Sequence, residues 1–337
     1  MNLIHDDVVG LEDCDGNLVL TLASGHRLQA DTAVLAMGNF VAPAVCPDLD
    51  TSPMWRSDPW QDNALSGMDP TSRVLLIGAG LTMADAAIAL LDAGHTGPIH
   101  AVSRRGLLPR IHTATPISPP ASIIAYPIRL TALTRLLRTE AERAIAEGRP
   151  WQGVIDALRP VAQDLWQAMS PADKRRFLRH VRCWWDIFRH RMAPVIAGRI
   201  KTARASGQLH ITAGRIVHCK PDGDRMDILI RARGDKNPLP LRVARVINCA
   251  GLTSDITQVK DPLLQGLLRQ GLVRPDPLAL GLDVDLECAV VARDGATSSR
   301  LYAVGPVTKG VFWEIVAVPD IRRQCDILAH QIVDRLR

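Results

Sequence analysis

The segment Arg73-Val-Leu-Leu-Ile-Gly-Ala-Gly-Leu-Thr-Met-Ala-Asp85 constrains this chain more than any other. Its apolar run, Val74 to Ile77, suits a strand buried on both faces. The chain then turns on Gly78-Ala79-Gly80. Beyond the turn Leu81, Ala84, Ile88 and Leu91 recur at helical spacing, and Gly94 is placed to stop the helix. A strand, a glycine turn and a helix N-terminus together make a site for a pyrophosphate. The first glycine permits the turn, and the second lets the backbone approach the anion. Free N–H groups and the helix dipole favour the negative charge. The next apolar run, Ile99 to Ser103, completes a βαβ unit of about 30 residues. Met83 holds the third glycine position of a GxGxxG pattern and Ala84 follows it. The small residue that lets helix and strand pack closely therefore falls one place later.

The strand after the turn ends in Ser103-Arg104-Arg105. A site for NAD places Asp or Glu there, about 20 residues past the glycines, to bind the ribose 2′-OH. Two arginines in place of a carboxylate suit a 2′-phosphate, and so NADPH over NADH. Arg110 and His112 follow in a proline-containing loop, at the sheet edge where ligands bind. A lone histidine is more often structural, and no other residue stands out as a nucleophile or acid–base pair. No catalytic residue is assigned, and the chemistry is expected to come from cofactors.

Hydrophobic residues make up 47% of the 337, enough for two domains with sizeable cores. No apolar run reaches the ~18 residues that span a bilayer, and Met1 to Asp7 does not resemble a signal peptide. Cys14, Cys46, Cys183, Cys219, Cys249, Cys288 and Cys325 are scattered, with no CxxC pair. This excludes a disulfide framework and a zinc site, and it suits a reducing cytoplasm. No His/Glu cluster has metal-ligand spacing, so no metal is expected. The net charge of +5 is local, because residues 129–204 hold 16 Lys and Arg against 7 Asp and Glu. Trp151, Trp166, Trp184 and Trp185 lie in that stretch. Basic residues among aromatics can mark nucleic-acid binding, but Phe177, Leu178 and Val181 fall at core spacing. The charges then read as a solvated face that attracts NADPH or an acidic small-molecule substrate.

Taken in order, residues 1–38 read as a β-meander. Its runs are Val8 to Leu11, Leu18 to Leu22, Arg27 to Ala30 and Thr32 to Gly38. Residues 39–70 read as a connecting loop. Residues 127–205 read as several helices broken by Pro150, Pro160, Pro171 and Pro194. Strands return at Leu209 to Ile211, Arg215 to Cys219, Met226 to Ile230, Arg245 to Cys249 and Leu301 to Val304. The chain closes on a helix with Ile321, Cys325, Leu328 and Ile332 on one face. Ala33 to Gly38 and Arg245 to Gly251 are alike: each is an apolar strand ending in small residues and glycine.

Gly78 to Asp85, with Ser103-Arg-Arg-Gly-Leu-Leu-Pro-Arg110, resembles the bacterial FAD/NAD(P)-binding flavoproteins related to urate hydroxylase and aspartate N-monooxygenase. Val34-Leu-Ala-Met-Gly-Asn39 is similar to their exit strand from the FAD domain. Leu301-Tyr-Ala-Val-Gly-Pro306, with Trp313-Glu314 and the last helix, is similar to their closing FAD segment. The resemblance implies an α/β, Rossmann-like fold with two dinucleotide-binding domains. Residues 1–40 would be the remnant of the FAD-binding domain and 41–70 a linker. Residues 71–250 would be the NADP-binding domain with a helical insertion at 127–205, and 251–337 the return to the FAD domain. It implies an oxidoreductase, of monooxygenase type, passing hydride from NADP(H) to FAD and on to substrate or O2.

In that scheme Gly78, Gly80, Leu81, Thr82 and Asp85 belong to the NADPH turn, and Ser103, Arg104 and Arg105 to the 2′-phosphate. Gly38, Asn39, Gly251, Gly305, Pro306, Trp313 and Glu314 would line a flavin between the two domains. The chain departs from the family in lacking the first FAD-binding βαβ unit, on the order of 100 residues. It therefore reads as N-terminally truncated. Gly305-Pro306 also replaces the usual Gly-Asp pair. Two alternatives follow. One is a non-catalytic NADP-binding sensor, or a subunit whose partner chain or oligomer completes the flavin site. The other makes residues 129–204 a basic interaction module.

Overall fold

Val74–Ile77 is buried along its whole length because it lies inside a sheet covered on both faces. The computed structural model describes residues 2–14, 16–113 and 126–336. The chain forms two units. One comprises Met1–Phe40, Pro160–Met169 and Leu252–Arg337, the other Val41–Arg159 and Ser170–Gly251.

The second unit is built on a seven-stranded sheet. Its order is Leu239–Val243, Arg225–Ala232, Leu209–Asp222, Ile99–Ser103, Val74–Ile77, Arg245–Asn248 and Trp55–Arg56. The last five are parallel neighbours, and the first two add antiparallel strands at one edge. Val74 and Leu76 face one side, where the helix Leu81–Asp92 brings Met83, Ala84, Ala87 and Leu90, and the helix Pro194–Ala205 brings Ile200 and Ala203. Leu75 and Ile77 face the other, against Met54, Trp55, Met226, Ile228 and Val246. An apolar run without alternation follows directly from cover on both sides.

Three local readings of the sequence change here. Residues 39–70 are more than a connection, since Trp55–Arg56 pairs with Val246 and Ile247 as the edge strand of the sheet. Burial of the Trp55 ring among Leu49 and Met54 fixes it there. The two strands expected at 209–211 and 215–219 are one, Leu209–Asp222. Gly214 lets it run on, because a Cβ there would lie 2.7 Å from the Arg231 carbonyl oxygen. The proline-broken helices are present, with Pro171 and Pro194 in first turns. Residues 160–169, however, group with the first unit.

The first unit holds the antiparallel meander Val8–Cys14, Asn17–Leu22 and Arg27–Ala30. Leu11 and Leu18 pack there with Leu264 and Leu267 of the helix Pro262–Gln270. Asp261 caps that helix by accepting the Leu264 N–H at 2.8 Å. A second sheet joins Ala289–Val291, Thr297–Ala303 and Ala33–Leu35, the last two parallel. On the closing helix, Val318–Leu336, the inward face is Gln324 and Leu328. Cys325, expected on that face, is exposed. Gln324 replaces it because its amide finds polar partners inside.

One stacked histidine pair, His100 half-buried and His210 exposed, lies in the second unit. His100 and His210 sit opposite each other on parallel strands, their rings stacked at 4.9 Å. Burial, then the charges of His210 and Arg73, push the His100 imidazole down from 6.5 to about 4. Between those values the unfolded chain binds the proton and the folded chain does not. The stabilisation is therefore present above 6.5 and is lost as pH falls to about 4. Allowing for the ring's partial exposure, the loss is about 1 kcal/mol. His100→Phe keeps the stacking and should flatten the fall in Tm over that window; an unchanged pH profile would refute the assignment.

Candidate cofactor site

The turn after Val74–Ile77 is set by two glycines that are glycine for different reasons. Gly78 has φ 124, and a Cβ there would lie 2.2 Å from the Cys249 carbonyl oxygen. No other residue fits. The contact joins the end of Val74–Ile77 to the end of Arg245–Asn248, its parallel neighbour. The helix Leu81–Asp92 carries the chain to Ile99–Ser103 on the opposite side. The strand order thus reverses at Gly78, the place where open α/β sheets bind ligands.

Gly80 has an ordinary φ of −85. A Cβ on it would meet nothing within 4 Å, so neither backbone nor packing demands glycine. What glycine supplies is an open floor. As N-cap of a 12-residue helix it offers no side chain to the first N–H groups, and the first turn carries no acidic residue. The N–H groups of Leu81 and Thr82 and the positive end of the dipole face that opening. Met83 and Ala84 are both fully buried, so the methionine in the third glycine position serves the helix–sheet core. Asp85 is exposed.

Asn248 steadies the facing strand end. Its Oδ1 accepts the Ala250 N–H at 3.1 Å, and its Nδ2 donates to the Ser57 carbonyl at 3.1 Å. Gly251 follows with φ 92 and open space beyond its Cα. Asn248 was not singled out from the sequence, although a lone amide in the apolar run Val246 to Ala250 is a signal. Burial pushes the Cys249 thiol up to about 12, which disfavours its thiolate.

On the neighbouring strand Ser103 Oγ accepts the Gly106 N–H at 3.0 Å, closing a tight turn around Arg104 and Arg105. Arg104 is exposed and Arg105 half-buried. Arg110 lies further on, its backbone bonded to Ile187 and Met192 and its guanidinium 5.6 Å from the Phe188 ring centre. His112 is exposed, with its N–H given to the Met192 carbonyl. The basic stretch uses its aromatics largely on one another. Trp151 meets Phe188 at 5.2 Å, and Phe177 meets Trp185 at 6.5 Å.

In the first unit the remaining residues gather at one sheet edge. Val304 donates to the Leu35 carbonyl at 3.1 Å, which brings the ends of two parallel strands together. Gly38 (φ 67) and Gly305 (φ 78) lie just beyond, each with open space where a Cβ would stand. Asn39 is exposed and Pro306 occupies the first turn of the short helix Gly305–Thr308. Gln324 Oε1 accepts the Gly305 N–H at 2.8 Å, and its Nε2 donates to Thr308 Oγ1 at 3.1 Å. Trp313 is buried and stacked on Trp166 at 4.6 Å, while Trp166 Nε1 donates to the Gly310 carbonyl at 2.8 Å. Glu314 holds a left-handed backbone, φ 63. Among the described residues no three His, Cys, Asp or Glu side chains could hold a metal ion, and no helix is long and apolar enough to cross a membrane.

No protein-family model and no curated protein sequence matches the chain. Solved structures do, and they show the fold of the two-dinucleotide-binding flavoproteins. The ornithine N-hydroxylase of Kutzneria sp. 744, in complex with reduced FAD, NADP+ and L-ornithine, is 13% identical with a TM-score of 0.63; the match covers 98% of this chain and 72% of that one. The reduced ornithine hydroxylase PvdA of Pseudomonas aeruginosa is 14% identical with a TM-score of 0.62, over 98% and 71% of the two chains. L-lysine 6-monooxygenase of Pseudomonas syringae is 15% identical with a TM-score of 0.61, over 96% and 70%. At such identities the likeness concerns the fold alone.

The two glycines make opposite predictions. Gly78→Ala should lower stability by about 2–4 kcal/mol through its backbone conformation and its clash. Gly80→Ala should cost under about 1 kcal/mol yet intrude on the open floor. Thermal unfolding distinguishes them, and equal losses would contradict the stated roles.

Proposed function

We propose that the chain is an NADPH- and FAD-dependent oxidoreductase of the monooxygenase type. One observation carries the NADPH half: Gly80 is glycine where only a ligand would need it, at the uncapped start of a helix beside the strand-order reversal. A pyrophosphate fits that place, held by the N–H groups of Leu81 and Thr82. Asp85 belongs to the same motif one turn further on. The end of Ile99–Ser103 offers no carboxylate for a 2′-OH, whereas Ser103, Arg104 and Arg105 suit a 2′-phosphate. Gly251, expected to line the flavin, belongs to the same unit as this turn and is proposed instead to keep the approach open.

For the flavin, Gly38, Asn39, Gly305, Pro306, Trp313 and Glu314 are the residues we propose. Support comes from the open space at Gly38 and Gly305 and from the rigidity that Gln324 gives the Gly305 turn. Trp313, stacked on Trp166, would shape a wall. The FAD and NADP+ named in the Kutzneria structure, and the FAD named with the cadaverine monooxygenase of Erwinia amylovora, support both cofactors. A bound flavin supplies the acceptor for hydride and the route to substrate or O2. The residues of this chain bind, orient and shield. The substrate is taken to be a small molecule, as ornithine, lysine and cadaverine are for the structures named, and the basic stretch 129–204 would favour an anionic one.

Binding titrations of the purified protein test this. NADPH should bind more tightly than NADH, and Arg104→Ala should weaken NADPH about tenfold while sparing NADH. Equal affinities for the two nucleotides would refute the NADPH assignment. Added FAD should be retained through gel filtration with its visible absorbance; none retained would refute the flavin assignment.

A further inference from the structure

The carboxyl edge of the second unit carries more arginine than the turn at Ser103. Leu209–Asp222 runs parallel to Ile99–Ser103 as far as the pair Ser103 and Ala213, then continues past that strand's end. Gly106 rests against it, since a Cβ there would lie 3.1 Å from Ala213 Cβ. Ala213 therefore faces the arginine turn. Side chains two apart on a strand share a face, so Arg215 faces the same way. Directly across the antiparallel ladder from Arg215 stands Arg231. Arg233 is two residues on, and its N–H is donated to the Ala213 carbonyl at 2.7 Å.

Two arginines opposite one another in a ladder repel. The rest of this meander avoids the arrangement: Arg242 lies across from Asp227 and also bridges Asp222. The exception sits at the end nearest Arg104 and Arg105. Among the described residues, none of Arg104, Arg105, Arg215, Arg231 and Arg233 forms an ion pair. Four of them are exposed and Arg105 is half-buried. These like charges, drawn from a turn and a hairpin far apart in sequence, offer several guanidinium donors to an anion.

We propose that Arg215 and Arg231 join Arg104 and Arg105 in a guanidinium cradle for the 2′-phosphate of NADPH, with Arg233 at its rim. The inference rests on the NADPH reading above and adds to it residues from a second element. The phosphate would offset the cross-strand repulsion between Arg215 and Arg231. Removing one arginine of the cross-strand pair therefore stabilises the unliganded protein and weakens the ligand. A purely structural arginine would do the reverse.

The test uses calorimetric titration with adenosine 2′,5′-bisphosphate, NADPH and NADH, alongside unliganded Tm, on the wild type, Arg215→Gln and Arg231→Gln. Each variant should bind adenosine 2′,5′-bisphosphate and NADPH about tenfold more weakly. NADH affinity should be unchanged and the unliganded Tm should rise. If the wild type prefers NADPH and both variants keep that preference, the cradle is overturned and the NADPH reading stands. A wild type without preference overturns the NADPH reading itself. Weakened binding with a lowered Tm marks the arginines as structural and also overturns the cradle.

Discussion

The contact between Gly78 and the Cys249 carbonyl sets the geometry of the candidate dinucleotide site. Two strand ends meet there with no side chain between them. Where they meet, the crossover through Leu81–Asp92 leaves toward one neighbour of Val74–Ile77 and Arg245–Asn248 lies on the other side. The helix Leu81–Asp92 is then aimed so that its uncapped start opens beside the reversal. Any Cβ at residue 78 would part the strands, and with them the alignment of the helix that provides the N–H groups. The fold and the site are at this point the same interaction.

Each unit solves a similar problem with similar parts. In the second, an apolar strand ends at Gly251, and Asn248 ties that end down through Ala250 and Ser57. In the first, a strand ends at Gly305, and Gln324 holds its N–H from the closing helix. Glycines with left-handed backbone leave amides that regular structure does not satisfy. A buried amide side chain meets that need and keeps the turn stiff. The flexibility glycine would otherwise bring is thus removed without filling the space it leaves open.

The sequence made the central βαβ unit legible because its signal is local: an unbroken apolar run, two glycines and a helical stripe within Arg73 to Asp92. The meander and the closing helix were legible for the same reason. What lay hidden was long-range. Trp55–Arg56 became a strand only through Val246 and Ile247, and the single strand Leu209–Asp222 only through the close approach of Arg231 to Gly214. The inward face of Val318–Leu336 was misassigned at Cys325 because periodicity scores apolar residues, while Gln324 is buried by hydrogen bonds. At the site, Arg104 and Arg105 could be read beside their strand. Arg215 and Arg231 could not, since only the pairing of distant strands brings them to that turn.

Strand order also has a temporal side. Val74–Ile77 gains its first neighbour, Ile99–Ser103, through the single helix Leu81–Asp92, but its second, Arg245–Asn248, arrives only after the whole helical region has been made. Ala33–Leu35 waits longer still, for Thr297–Ala303. While the chain emerges from the ribosome, a strand that will lie inside the larger sheet is an open edge, and edges invite pairing with other chains. Leu81–Asp92 can cover one face meanwhile, but nothing local can cover the flank. This architecture places its greatest exposure to misassembly early in synthesis and its relief near the end.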